Sequence, residues 1–172
     1  MTLLIVKLLI TQVIWYFSIQ FILNLQINYG EEMKQLLEKL NYKGNNRIAV
    51  LNSDKYFTAS LSLELSEVTI DSEIDPRFPY DFILIFVKNQ AEVEIFSPTA
   101  LHNLLCDGVL WFCYPKKSSK LFRSDIDRDH GWQRLNDAGF HGIRMVSIDN
   151  DWSAIRFRNI KFIRSISGKF AK

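Results

Sequence analysis

The chain has 172 residues, 48% of them hydrophobic and 23% charged, with a net charge of +2. That describes one ordinary domain with a remainder, apolar enough for a core and excluded from the disordered class. Two cysteines exclude a disulfide framework and a four-cysteine zinc site, and the small net charge does not call for nucleic acid. The charge is uneven along the chain. Residues 31–115 hold 13 acidic and 7 basic side chains, whereas residues 116–172 hold 6 and 13. A small anionic partner is therefore expected on the back third.

Residues 8–30 carry no charged side chain. Leu3 to Leu25 is long enough to span a bilayer, which takes about 20 mostly apolar residues. Lys7 interrupts it, Gln12, Gln20 and Asn24 dilute it, and no small-x-small cleavage site follows. Gly30-Glu31-Glu32, encodable by a purine-rich run, stands directly before Met33. The expectation is a start at Met33, with residues 1–32 a hydrophobic extension outside the fold and the protein cytoplasmic. The alternatives are a buried helix, or a single-pass anchor that would make the membrane a partner.

Leu36, Leu37 and Leu40 share one face of a helix over 34–42. Arg47–Leu51 reads as a strand after a Gly44-Asn45-Asn46 turn. A helix over 55–66, with Leu61 and Leu65 inward, and a short strand at 68–70 follow. Asp81–Val87 is apolar on both faces, as a buried parallel strand is. A helix is expected within 90–105, starting near Ser97 because of Pro98, with Leu101, Leu104 and Leu105 inward. Gly108–Tyr114 is a second buried strand, and Pro115–Arg123 a basic loop. Residues 126–138 fit a helix stopped by Gly139. Phe140–Asp149 and Trp152–Arg158 form an antiparallel hairpin about Asn150-Asp151. Alternating strands and helices argue for an α/β fold. The expected architecture is Rossmann-like: a mostly parallel sheet, helices on both faces, and a C-terminal antiparallel hairpin. The domain is expected over 33–160, with a basic tail over 161–172.

Gly108-Val109-Leu110-Trp111 with Tyr114-Pro115-Lys116, then Ser124-Asp125-Ile126 and Asp151-Trp152-Ser153-Ala154-Ile155-Arg156-Phe157, resemble a bacterial family of small Rossmann-like proteins known only as a domain of unknown function. Arg47–Asn52 resembles its opening strand, and the likeness covers about residues 35–158. The layout more distantly resembles the Rossmann-type methyltransferases. That resemblance implies S-adenosylmethionine as cofactor, bound by a Gly-rich turn after the first strand. The matching turn here, Asn52-Ser53-Asp54-Lys55-Tyr56, has no glycine.

Ligands of open α/β sheets sit beyond the carboxyl ends of the strands. Asn52-Ser53-Asp54, Lys88-Asn89 and Pro115–Lys120 should converge there. The candidate binding residues are Asn52, Ser53, Lys116, Lys117, Ser118 and Ser119, since lysine and serine donate well to phosphate or carboxylate. The loop is not a phosphate-binding P-loop, because the spaced glycines are absent. Asp125-x-Asp127-x-Asp129 fails the EF-hand pattern: its sixth position is His130 and its twelfth Asn136. It is expected to open a helix, with Ser124 or Asp125 capping. The three histidines fit no metal motif, Cys113 is expected to be a core thiol, and no catalytic residue is named. Trp111, Trp132 and Trp152 are expected core anchors. Arg156 and Arg158 share one face of a half-buried edge strand, so nucleic acid is not the expected partner. The leading expectation is a non-catalytic binding module for a small anion. The alternative is a divergent S-adenosylmethionine-dependent methyltransferase, with Asn52 and Ser53 lining the cofactor pocket and Asp81 preceding the substrate strand.

Overall fold

The computed structural model describes residues 15, 16, 18–20 and 30–163. Most of residues 1–29 and all of the tail beyond 163 lie outside the described residues, and so do the expectations placed on them. Among the described residues no helix is long and apolar enough to cross a membrane.

The first continuous element is helix α1 (residues 30–39). Met33, Leu36, Leu37 and Leu40 recur at the spacing of one helical face, and all four are buried. The helix stops at Asn41, whose φ of 60° is the left-handed conformation that asparagine tolerates. Tyr42 N–H then bonds the Leu37 carbonyl and Asn41 N–H that of Glu38, capping two orphan acceptors.

Next come β1 (Arg47–Leu51), α2 (Lys55–Glu64), β2 (Thr69–Asp71), β3 (Tyr80–Phe86), α3 (Gln90–Asn103) and β4 (Leu104–Pro115). The short α4 (Gln133–Asp137), β5 (Phe140–Ser147), β6 (Trp152–Asn159) and a 3-10 turn (Ile160–Phe162) complete the chain. The six strands form one sheet in the order β2-β1-β3-β4-β6-β5. The first four are parallel; β6 runs antiparallel between β4 and β5. This is the expected α/β architecture. One refinement concerns β6, which is an interior strand: the hairpin folds back so that β5 takes the edge.

The sheet has a buried face on each side. On one, α1 and α2 cover Ile48, Val50, Leu84, Trp111 and Cys113. On the other, α3 and α4 cover Ile83, Ile85, Leu110, Phe112 and Ile155. The β1-α2-β2 and β3-α3-β4 units step in opposite directions across the sheet, and equal handedness then puts their helices on opposite faces. The topological switch point therefore lies between β1 and β3. Trp111 and Trp132 are core anchors, and the Trp111 indole N–H donates to the Leu40 carbonyl at 2.8 Å, pinning α1 to the sheet.

Two helix expectations are corrected. Helix α3 begins at Gln90, not near Ser97, because Asn89 caps it by accepting from Glu92 N–H at 2.9 Å. Pro98 is carried inside the helix on its exposed side, and Glu94, whose carbonyl loses its partner, is exposed as well. Val93, Ser97 and Ala100 face inward, while Leu105 lies beyond the helix and is exposed. Helix α4 spans five residues only. Asp127 accepts from Asp129 and His130 N–H in a turn and Asp125 from the distant Gln90 N–H, so no helix opens at 126 and the element starts at Gln133. Gly139, with φ of 78°, follows its end as expected.

Candidate functional site

Three segments meet at the carboxyl edge, as the topology requires. Asp54 caps α2, its Oδ1 accepting from Tyr56 and Phe57 N–H at 2.8 and 2.9 Å. Asn52, two residues earlier, has φ of 56°. It takes the left-handed conformation a glycine would supply, and its side chain adds what glycine lacks. Asn52 Nδ2 donates to the Phe86 carbonyl at 2.8 Å, joining the ends of β1 and β3. Glu92 closes the same crevice from α3: its Oε2 accepts from Lys88 N–H at 2.7 Å and from Asn52 Nδ2 at 3.4 Å. The switch-point crevice is thus bridged by two side chains. Ser53 is turned to Thr58, hydroxyl to hydroxyl at 2.7 Å.

In dinucleotide folds an acidic residue after the second strand holds the ribose. Here Asp71 ends β2, but β2 pairs with the first half of β1, so Asp71 sits opposite Ala49, short of the carboxyl edge. Its carboxylate accepts from Arg47 Nε at 2.5 Å and from the Tyr80 hydroxyl at 2.6 Å. Burial raises its pKa, but these hydrogen bonds outweigh burial and hold it below the ordinary carboxylate value. Asp81 is the second residue of β3 and exposed, at the amino edge. The bridged crevice, the committed Asp71 and the absent glycines do not fit S-adenosylmethionine in this conformation.

The basic loop builds a separate cavity of about 640 Å³ beside β4, lined by Lys116, Lys117, Ser119, Lys120, Phe122 and Arg123 among others. Asn52 and Ser53 do not line it. Phe122 holds the loop down by packing on Trp152, ring centroids 5.1 Å apart, and Lys88 Nζ lies 5.5 Å over the Phe122 ring. The loop lysines are unequal. Lys116 Nζ donates to Ser147 Oγ at 2.8 Å and to the Asp149 carbonyl, tying β4 to the β5–β6 turn. Ser119 Oγ donates to Asp151 Oδ1 at 2.6 Å and accepts from Leu121 and Phe122 N–H. Lys117 is exposed and pairs with Asp127 at 2.8 Å. Burial would raise the Asp127 pKa, but Lys117, the Asp129 N–H and His130 pull it well below the ordinary carboxylate value. Ser118 is exposed. Lys120 and Arg123 form no ion pair among the described residues.

A smaller hollow of about 350 Å³ adjoins, sharing Lys116 and Lys117 and reaching Tyr114 and Ser153. Burial, then the Asp127 charge, push the Tyr114 hydroxyl up to about 12. The aspartates at 125, 127 and 129 diverge. Asp125 accepts from Gln90 N–H at 2.9 Å, Asp127 from Asp129 and His130 N–H, and Asp129 pairs with Arg128. Among the described residues no three His, Cys, Asp or Glu side chains are grouped to hold a metal.

Sequence reasoning missed Glu92, Phe122 and Arg123. Glu92 was legible in principle: an asparagine followed three residues later by glutamate is a helix-start signature. Phe122 and Arg123 carry no local signal, since their places depend on the fold of the loop.

No family model matches the chain, and no curated protein matches it. Its resemblance to the family of unknown function rests on the quoted residues alone. Among solved structures, similar ones include a phosphoethanolamine N-methyltransferase 2 of Haemonchus contortus in complex with phosphomonomethylethanolamine and S-adenosylhomocysteine. That match has 12% identity and a TM-score of 0.48 over 76% of this chain and 37% of that one. The N-methyltransferase NodS of Bradyrhizobium japonicum matches at 11% identity and a TM-score of 0.43, over 75% and 94% of the two chains. A fibrillarin pre-rRNA processing protein of Methanococcus jannaschii matches at 13% and 0.44, over 70% and 68%. The chain spans little more than a third of the Haemonchus protein. The similarity is one of chain course, not of ligand or reaction.

Proposed function

We propose that the chain is a non-catalytic binding module that takes a small anionic ligand in the basic cavity beside β4. One observation carries this reading. Lys120 and Arg123 line a cavity of about 640 Å³ and form no ion pair among the described residues, within the 300–1,000 Å³ typical of small-molecule sites. Arginine supplies a planar fork for phosphate or carboxylate and lysine a mobile point charge. Lys117 adds a third cation by exchanging Asp127 for the ligand, and Ser118 a hydroxyl. Lys116 and Ser119 hold the walls. Thermal-shift titration with inorganic phosphate and with nucleotides tests it. Lys120→Ala and Arg123→Ala should weaken the ligand response, and Lys116→Ala should lower baseline stability while leaving that response unchanged. Equal responses in wild type and the Lys120 and Arg123 variants would dismiss the site.

A second reading is an S-adenosylmethionine-dependent methyltransferase using the β1–β3 crevice. It is favoured by the switch point there and by the left-handed turn at Asn52, which reproduces a glycine turn without glycine. On this reading Asn52 and Ser53 line the pocket once the Asn52–Phe86 hydrogen bond opens. Calorimetry with S-adenosylmethionine and S-adenosylhomocysteine decides: micromolar binding would replace the first reading with this one, and no heat would leave the first standing.

A further inference from the structure

The α1 side of β5 and β6 carries three arginines, of which Arg158 alone has an ion-pair partner among the described residues. Trp111 on β4, Arg156 on β6 and Arg144 on β5 are in register, so their side chains project from one face of the sheet. Arg158, two residues on from Arg156, shares that face, with His141 opposite it. Three guanidinium groups thus meet one carboxylate, Asp107. That carboxylate is engaged at both oxygens by Arg158, at 2.6 and 2.5 Å. Arg158 draws the Asp107 pKa down, as a committed pair does.

Arg156 and Arg144 are left facing each other. Like charges directly opposed across strands are destabilising. The Arg156 Nε is buried and has no hydrogen-bond partner among the described residues. A buried donor without an acceptor is costly, more so on a charged group. Burial, then the charges of Arg158 and Arg144, lower the Arg156 pKa, and the attraction of Asp107 offsets this only in part. Among the described residues no group supplies an acceptor for the Arg156 Nε. All 19 aspartates and glutamates fall within the described segments, and none is paired with Arg144 or Arg156. The undescribed stretches contain no acidic side chain.

We propose that Arg144 and Arg156 form a binding site for a phosphate-type oxyanion on this face. The orphaned Nε is half of the side-on fork, Nε with Nη, by which arginine takes two oxygens of a tetrahedral anion. A dianion between the two arginines removes the cross-strand repulsion and satisfies the buried donor together. Arg156 sits beside Trp111 in mid-strand, four residues along β6 from Trp152 at the carboxyl edge, and neither Arg144 nor Arg156 lines the cavity there. The site is therefore distinct from the carboxyl-edge cavity and does not depend on the function proposed for it.

Inorganic phosphate is the probe, added to the full-length protein against chloride at matched ionic strength. Thermal shift and phosphorus-31 line width are the readouts. Wild type should show a saturable, phosphate-specific rise in Tm. Arg144→Gln and Arg156→Gln should each weaken it by roughly tenfold. Arg144 is exposed, so Arg144→Gln remains informative where Arg156→Gln fails to fold. A double variant, Lys120→Ala with Arg123→Ala, separates the two sites: it removes the cavity's share of the response, and the rise in Tm that remains should be weakened further when Arg144→Gln is added. Should chloride match phosphate, or should Arg144→Gln respond like wild type, the site is refuted. A double variant with no phosphate response left would refute it equally and leave the cavity as the one site.

Discussion

Asn52 offers a sharp test of how the carboxyl edge is built. Its backbone is left-handed at φ of 56°, and its side chain bridges β1 to β3 through the 2.8 Å bond to the Phe86 carbonyl. Asn52→Ala removes that bond, worth about 1 kcal/mol. It also places a residue with a Cβ and no compensating side-chain bond in the left-handed region, at about 1 kcal/mol more. The expected loss is about 2 kcal/mol. Asn52→Gly forfeits the same bond but sheds the backbone strain, and that relief is offset by the greater freedom of glycine in the unfolded chain, about 0.5 kcal/mol. Its expected loss is about 1 kcal/mol. The glycine variant should therefore be the more stable of the two, by about 1 kcal/mol or roughly 2–4 °C for a chain of this length. Urea unfolding followed by tryptophan fluorescence measures both, since Trp111 and Trp152 are buried. Equal losses, or a larger loss for glycine, would refute the assignment of strain to Asn52.

Gly131 should tolerate no side chain: at φ of 96° a Cβ would stand 1.8 Å from Ile126 Cγ2, so Gly131→Ala should cost about 3 kcal/mol or more in the same assay. Native protein should expose one thiol to an aromatic disulfide reagent and two after denaturation, because Cys106 is exposed and Cys113 buried, its thiol pushed well up by burial. Acid should destabilise the fold from about pH 4 downward. Arg77 holds Asp75 to about 2 and Arg158 lowers Asp107, while unfolded carboxylates titrate near 3.9. Groups with depressed folded pKa values stabilise above the unfolded value and lose that contribution as pH falls through the folded one. Tyr114, raised to about 12, works in reverse: its stabilisation is complete below about pH 10 and lost between about 10 and 12. Circular dichroism midpoints across pH should show both flanks, and Tyr114→Phe should flatten the alkaline one.

Much of this fold is legible along the chain. Residues 47–51 and 81–87 are short runs apolar on both faces, and such runs are stable only inside a sheet covered twice. Leu36, Leu37 and Leu40 announce a helix against that sheet, and Asn150-Asp151 announces the hairpin. These are local signals of period and turn chemistry, set by backbone geometry that each segment carries with it. The convergence of 52–54, 88–89 and 115–120 followed from the parallel connections alone. The state of each group there did not. Lys116 and Lys117 look alike in sequence, yet one ties down the β5–β6 turn and the other pairs with Asp127, 10 residues away. Asn52 and Glu92 bridge the crevice from elements 40 residues apart. The placement of β6 inside the sheet, which sets Arg156 against both Trp111 and Arg144, was likewise decided by strand order. Local pattern determines which elements form and which faces they bury. Which charges are spent and which remain free depends on partners distant in sequence, and only tertiary packing brings those within a hydrogen bond's reach.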